Sequence, residues 1–513
     1  MSRVYVILLA FVAVFSLQSC DLDIEPENSV TFENYFETEE DLYALVAEIH
    51  GELRTALSRV TYHEYMGAPI DRISGAASIY DKLRNLDPST ITAETRQEAW
   101  KRYYNVLTLA DLFMDNYHKV QNVDSNRLKF CIGQCQFVRA VSYWYLGRIW
   151  GDAVITKGSL YTGKYAKSSA QQVIDTAIHY GVEAYKILPK YEQMRGIAGK
   201  TLTSKQYGCK GSAAAVLAHL YAWKGAMFDN QEALAKAEEW CSKLLDAEYA
   251  TEVGDSYQLA EDPEEVCTKT LVRCGKESLF EVEQNFYEMT PGYFLPATYM
   301  ISYPVMKNSK PEDIVDAYFG VYLSTVNRMF KQGDKRRYAY FYKADDPAEA
   351  NSLGLAYLNK WRYTYYMQSG NYEPYFVNMD CNKVLVRLAD IVLLRAECRV
   401  KLGNYVGAVS DLNTIRERAG AALFPVVDDG ESEDLLQLIV FREREKELFM
   451  EGQRYYDAIR NGNDYIRSEL SEGFASLTDD DIANGAIYLP VPKTAFKDND
   501  LMIQNRYWLS KMK

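Results

Sequence analysis

Histidine is scarce in this 513-residue sequence: there are five, His50, His63, His118, His179 and His219, and they are scattered. No His-Glu-x-x-His and no Gly-x-Ser-x-Gly occurs, so the motifs of a zinc hydrolase and of a serine hydrolase are both missing. No Cys-x-x-Cys pair or His-rich cluster offers a zinc site, and no cofactor is expected. Positive charge is outweighed, with 57 Lys and Arg against 71 Asp and Glu, a net charge of -14 and a pI near 5.1. A nucleic-acid partner needs a basic surface to neutralise phosphates, so none is expected.

What the chain has in quantity is apolar and aromatic. Hydrophobic residues make up 48% of it and there are 41 tyrosines, enough for a large core with rings left to line a surface. At the N-terminus, Val4 to Phe15 is an apolar run too short to span a bilayer comfortably, and residues 1–19 read as a secretory signal peptide. Leu17-Gln18-Ser19-Cys20 resembles a bacterial lipobox, making Cys20 the expected lipidation site; ordinary cleavage leaving a free cysteine is the other reading. Asp21, Asp23, Glu25 and Glu27 follow in an acidic segment, residues 20–37.

Eight cysteines remain, an even number that permits disulfides in an exported chain. Cys131 and Cys135 lie one helical turn apart and Cys398 sits on an apolar stripe, which favours buried free thiols. If any pair forms, Cys267 and Cys274 are the best placed, bracketing a short turn-like segment.

The clearest periodicity lies between Arg387 and Gly462. Ile391, Leu394, Cys398 and Leu402 make one apolar stripe, and Ala389, Leu393, Ala396 and Val400 make a second, so this helix is packed on both sides. Gly403-Asn404 breaks it, and Tyr405, Ala408, Leu412, Ile415 and Ala419 mark a partner helix that stops at Gly420. Helix, Leu-Gly-x-Tyr turn, helix is the tetratricopeptide pattern. Residues 212–228 and 230–247 form a similar pair. Further helices are expected behind Thr38, from Thr92, from about Gln134 to Trp150, and from a capping box at Ser168-Ser169-Ala170-Gln171 to Leu188. The expected fold class is mainly α: a tetratricopeptide-like helical solenoid of about four helix pairs, with an irregular loop-rich half containing short strands. The solenoid would occupy about 92–250 and 385–465 of one domain, 38–513.

Two stretches fall outside the helical pattern. Residues 60–92 gather Gly, Pro, Ser and Tyr and read as a long ordered loop. From 250 to 385, including DKRRYAYFYK, the chain reads as strand and loop, with Pro291, Pro296 and Pro304 forbidding a long helix. The tail, 466–513, is extended around Pro490 and Pro492. Sugar binding needs flat rings against the apolar face of a pyranose and planar polar groups for its hydroxyls. The candidates are Tyr62, Tyr65, Asp71, Arg72 and Tyr80 from the first region and Tyr287, Tyr293, Phe294 and Tyr299 from the second. A further set of rings, Tyr363, Tyr365, Tyr366, Tyr372 and Tyr375, suits a partner contact or plain core.

In FREREKELFMEGQRYYDAIR, Glu443, Glu447 and Glu451 recur at four-residue spacing, as an acid and base pair on a helix face would. Interleaved arginines, with Arg416 and Arg418 nearby, point instead to an ion-pair network between packed helices. Glu447 and Arg454 are therefore expected to be mostly buried and paired, and no residue is assigned to catalysis. Asp71, Asp81 and Glu64 remain as carboxylates a hydrolase would draw on.

These blocks in this order, from the lipobox through WKRYYNVLTLAD, FVRAVSYWYLGRIWGD, ESLFEVEQN, LADIVLLRAECRVKLGNY and FREREKELFMEGQRYYDAIRNG to LPVPKTAFKDNDLMIQN, resemble the SusD/RagB family of Bacteroidetes outer-membrane nutrient-uptake lipoproteins. The resemblance covers nearly the whole chain. It implies four tetratricopeptide-like units cradling an irregular half that holds the ligand site. It also implies a lipid-anchored protein on the cell exterior that captures an oligosaccharide or a peptide and passes it to a SusC-like TonB-dependent transporter. The acidic run after Cys20 is similar to the export signal of such lipoproteins. The competing readings are a secreted all-α glycoside hydrolase, which needs two carboxylates facing across a pocket, and a tetratricopeptide scaffold with a bare concave face.

Overall fold

The computed structural model describes residues 36–75, 78–94, 97–196, 199–254, 256–284, 295–346, 351–425 and 433–511. Cys20 and three candidate rings, Tyr287, Tyr293 and Phe294, lie outside the described residues.

The fold is mainly α. Its solenoid is built from α1 (Glu39–Leu57), α2 (Gln97–Asn116), α3 (Ser125–Ile149), α4 (Ala170–Ile187), α5 (Lys210–Met227), α6 (Gln231–Leu245), α7 (Leu388–Lys401), α8 (Tyr405–Arg418) and α9 (Glu433–Glu447), followed by the short α10 (Arg454–Arg460). From α1 to α6 each helix packs on the next, and α6 then packs on α7, which also takes α8 and α9. The long insertion between α6 and α7 therefore interrupts the solenoid in sequence and leaves it continuous in space.

Local chemistry sets these helices. Thr38 N–H donates to Asp41 Oδ2 at 2.7 Å while Thr38 Oγ1 accepts from Asp41 N–H at 3.3 Å, a capping box that starts α1. Behind it Leu42, Leu45, Ile49, Leu53 and Leu57 are all buried. The N-cap of α4 is Ser169, paired with Gln172, and the helix stops before Pro189. In α7 the two stripes part company: Ile391, Leu394 and Cys398 enter the main core, while Ala389, Leu393, Ala396 and Val400 join Ala408, Leu412 and Ile415 of α8 in a separate one. Gly403 (φ +76°) and Gly420 (φ +64°) close these two helices in a left-handed conformation that costs other residues about 1 kcal/mol.

Four sequence expectations need correction. The tail 466–513 is extended only around Pro490 and Pro492: it also holds the short helices Glu472–Ala475, Asp479–Ala483 and Arg506–Lys511, the second started by a capping box between Thr478 and Asp481. Residues 60–92 are not one loop but hold helices Tyr62–Met66, Ser78–Arg84 and Pro88–Glu94; elements of one or two turns are too short to reveal a helical period. Helix α3 begins at Ser125 rather than near Gln134, because the Asp124 carboxylate accepts from the N–H groups of Asn126 and Arg127, both at 3.0 Å, ahead of the apolar run. DKRRYAYFYK starts as a helix, Lys335–Tyr340, capped by Asp334.

Eight short strands accompany the helices among the described residues: β1 (Arg72–Ile73), β2 (Ser278–Val282), β3 (Phe319–Gly320), β4 (Phe341–Tyr342), β5 (Tyr357–Leu358), β6 (Thr364–Met367), β7 (Tyr375–Met379) and β8 (Lys383–Arg387). They pair antiparallel as β1–β3, β2–β8, β4–β5 and β6–β7. The fully buried β2–β8 ladder leads straight into α7 and ties the irregular half to the solenoid. Its apolar residues belong to the main core except Val384, which joins a second core of Leu295, Tyr299, Phe319, Phe330, Tyr340, Phe341, Trp361 and, from the chain just after α9, Phe449 and Met450.

The charged stretch at the end of α9 locks the two halves together. Glu447 is fully buried and accepts from Arg387 at 2.8 Å, from Arg336 at 3.4 Å and from Arg418 at 2.5 Å. Burial pushes its carboxyl up, yet the guanidiniums of Arg418, Arg387 and Arg336 hold it well below the usual range. Glu443 takes Arg336 at 2.6 Å and Arg416 at 2.8 Å, and Glu451, beyond the helix end, takes Arg387 and Lys360. Arg454 is half-buried and pairs with Glu445 at 2.6 Å and Glu469 at 3.1 Å, not with Glu447. The eight described cysteines are free thiols. Cys267 points into the core toward the Ala339 carbonyl, 3.7 Å away, so it does not bridge to half-buried Cys274.

Candidate functional site

The two irregular regions meet through β1 and β3. Arg72 pairs with Gly320 and Ile73 with Phe319, flanked by Asp71 N–H to Gly320 O at 3.0 Å and Ser74 N–H to Tyr318 O at 2.9 Å. Tyr322 N–H then donates to Asp71 Oδ2 at 2.8 Å, so this carboxylate also holds the joint. With no Cβ, Gly320 lets Leu355 approach: a methyl there would fall 2.9 Å from its Cδ2.

Above the joint, rings from both regions pack together, Tyr299 edge to face with Tyr65 and Tyr80 and tilted against Phe319 and Tyr318. Tyr65, Tyr80 and Tyr299 lie 5.1 to 5.2 Å apart by centroid, and Phe319 and Tyr318 stand 5.0 and 5.8 Å from Tyr299. The hydroxyl of Tyr65 is hydrogen-bonded to that of Tyr299, which also accepts from Tyr80 at 3.3 Å. Burial, then the neighbouring phenols of Tyr65 and Tyr80, push the Tyr299 hydroxyl far up, so it stays neutral.

This geometry sorts the candidates. Tyr65 and Tyr299 are only 7% and 6% exposed and belong to the core of the irregular half, so their faces are already stacked. Tyr62, Tyr80 and Arg72 are half-buried and Asp71 is exposed. Glu64 is buried and paired with Lys383 at 3.1 Å, a structural contact. Sequence reasoning passed over Tyr318, half-buried at the edge of the cluster, and Tyr322, 39% exposed, whose backbone amide meets Asp71. The aromatic run Tyr318-Phe319-Gly320-Val321-Tyr322 was the available signal.

Cavities open on both sides of the joint. One of about 360 Å³ lies under Tyr299, Tyr318 and Phe376, with Ser302, Asn308 and Asp313 as polar groups. Another of about 340 Å³ is lined by Asp71, Arg72, Asp81, Arg84 and Asn85. A third, about 610 Å³, shares Ile70, Asp71 and Arg84 with the second and extends along α8, α9 and the turn to α10. Volumes of this size suit a ligand of a few sugar rings. Rings at the edge and planar amide, carboxylate and guanidinium groups in the walls are what hydroxyl recognition requires, and no titration is needed. Among the described residues no group of His, Cys, Asp and Glu is arranged to hold a metal ion, and no helix is long and apolar enough to cross a membrane.

Two family models match the chain on either side of the joint: the SusD family over residues 267–508, and one described as starch-binding, associating with the outer membrane, over 22–221. The chain belongs to the SusD/RagB family. Its relatives include SusD-like protein P38 of Formosa agariphila, 24% identical over 489 residues that span 88% of this chain and 90% of that protein. A SusD homolog from Bacteroides thetaiotaomicron shares the fold with a TM-score of 0.74 at 21% identity, over 92% of this chain and 98% of that one. A SusD superfamily protein from the same organism follows with a TM-score of 0.71 at 23% identity, over 92% and 99%. The SusD family comprises glycan-binding surface proteins of nutrient uptake, associated with the outer membrane and known as binding proteins rather than enzymes.

Proposed function

We propose that this protein is a non-catalytic surface lipoprotein, anchored to the outer membrane through Cys20, that captures an oligosaccharide and passes it to a SusC-like TonB-dependent transporter. The observation that carries the reading is the β1–β3 joint, which brings Asp71 and Arg72, in the wall of one cavity, together with Tyr318, in the wall of another, with Tyr80 6.3 Å from Tyr318 and the Tyr322 amide on Asp71. Family membership supports the role; the ligand class rests on those rings and planar polar groups. The hydrolase reading loses its strongest carboxylates, because Glu443, Glu447 and Glu451 are buried in ion pairs and Asp71 is spent on a backbone amide. The exposed rings of Tyr363, Tyr372 and Tyr375, on and around the β6–β7 hairpin, are our candidate for the transporter contact.

Glycan-array binding by the full chain tests the ligand class, with Tyr80, Tyr318 and Tyr322 changed to Ala. Loss of a bound glycan in a variant that circular dichroism shows to be folded supports the site. Equal binding by the triple variant removes it, and binding of peptides alone removes the sugar. Labelled palmitate incorporated despite Cys20→Ala would remove the anchor.

A further inference from the structure

The largest of the three cavities carries a charge opposite to that of the protein. Seven Lys or Arg residues and three Asp or Glu residues line it, in a chain whose net charge is -14. Four of these charges cancel: Arg442 and Arg454 each pair with both Glu445 and Glu469. Arg416 and Lys446 share a single oxygen of Glu443, each at 2.8 Å, while the other oxygen takes Arg336. Asp71 is engaged by the Tyr322 amide.

Three cations are left over. Arg84 gives Nη1 to the carbonyls of Tyr65 and Ala68, at 3.1 and 3.0 Å, and Arg328 reaches only the Thr325 hydroxyl at 3.4 Å. Lys331 is exposed, and none of the three forms an ion pair among the described residues. Half-buried Arg84 is the costly one: burial, with Arg454 close by, pushes its guanidinium down to about 10. The carboxylates of Asp81, Glu472 and Asp71 offset this only in part, so a guanidinium with no direct salt bridge at a cleft wall gains when an anion enters. Arg84 also lines the smaller cavity, but there Asp71, Asp81 and Glu472 balance it and Arg72, so the cation surplus faces the larger cavity.

We infer that the cavity walled by Arg84, Arg328 and Lys331 receives a carboxylate-bearing sugar, a uronic acid unit of the captured oligosaccharide. The inference rests on the capture reading and narrows it to acidic glycans. Its chemistry is bidentate: a planar guanidinium meets a carboxylate with two parallel hydrogen bonds, while Lys331 and Arg328 draw the ligand in from solvent.

The test is calorimetric titration of the full chain with an oligouronate, with the same oligosaccharide after reduction of its carboxylates to alcohols, and with an oligoglutamate peptide. The expected result is that the oligouronate binds at least about ten-fold more tightly than its reduced counterpart. Arg328→Glu with Lys331→Glu, both exposed and so tolerated by the fold, should abolish that difference. Arg84→Gln should weaken the oligouronate in the same sense. Equal affinity for the acidic and reduced glycans overturns the inference and leaves glycan capture standing, as does acidic binding that the charge reversal does not touch. Binding of the peptide and of neither glycan overturns both.

Discussion

The carboxylate of Glu447 lies 2.8 Å from Arg387 with neither side chain reaching solvent, and the same carboxylate takes Arg336 from the irregular half and Arg418 from α8. The pair is a joint between two halves of the molecule, because Arg387 ends β8 and caps α7.

Removing the carboxylate leaves three buried guanidiniums short of a partner. Glu447→Ala should therefore destabilise the fold by about 3–5 kcal/mol, the range for breaking a buried pair from one side. Denaturant unfolding measures it. A loss below about 1 kcal/mol, the level of an exposed pair, would show that the network is not what holds the halves together.

Titration of buried histidine gives a second expectation. His63 stacks on Tyr455 at 4.5 Å, and burial, with Arg148 as the next cause, pushes it from 6.5 down to about 3. The unfolded chain then binds a proton that the native state refuses, so stability is full above pH 6.5 and falls as pH drops toward 3. One such group contributes a slope of up to about 1.4 kcal/mol per pH unit, and His63→Phe, which keeps the ring, should remove that slope. Chemical denaturation of both proteins at several pH values reads it; parallel curves would refute it.

Part of this was legible in the sequence and part was not, for physical reasons. The two stripes of α7 are a property of a single helix, so their spacing shows both packing faces before any partner is known, and each stripe went to its own core. The β1–β3 joint links residues 72–73 to 319–320 by two residues a side, too few to carry an alternation, and so nothing local marks it. That long-range pairing is also what buries Tyr65 and Tyr299 and leaves Tyr318 at the edge and Tyr322 exposed. The cation surplus was hidden similarly, since Arg84, Arg328 and Lys331 come from separate stretches of an acidic chain.

Because the ring cluster has a packed interior and an accessible rim, stability and binding should separate. Tyr299→Phe deletes a buried hydroxyl that two other tyrosines meet, costing about 1 kcal/mol of stability with little change in ligand affinity. Tyr322→Ala, at an exposed position, should do the reverse, lowering glycan affinity with an unchanged melting temperature. Finding both effects in the same variant would mean that rim and interior are not distinct.

The last expectation concerns how the first irregular region is held to the solenoid. Gly67 follows the Tyr62–Met66 helix with an ordinary φ of -88°, so its requirement is space rather than backbone freedom. A Cβ built there would fall 2.6 Å from both Cβ and backbone N of Tyr455 in α10, and neither can move without shifting the helix. Gly67→Ala should cost about 1–3 kcal/mol by overpacking. Ala68, Pro69, Ile70 and Asp71 follow directly and line the largest cavity, and Arg454 Nη1 donates to Gly67 O at 3.3 Å. The displacement should therefore reach the site, and glycan affinity should fall along with stability. If stability drops while affinity holds, the region between Gly67 and Asp71 absorbs the shift, and the cavity wall is positioned by the β1–β3 joint alone.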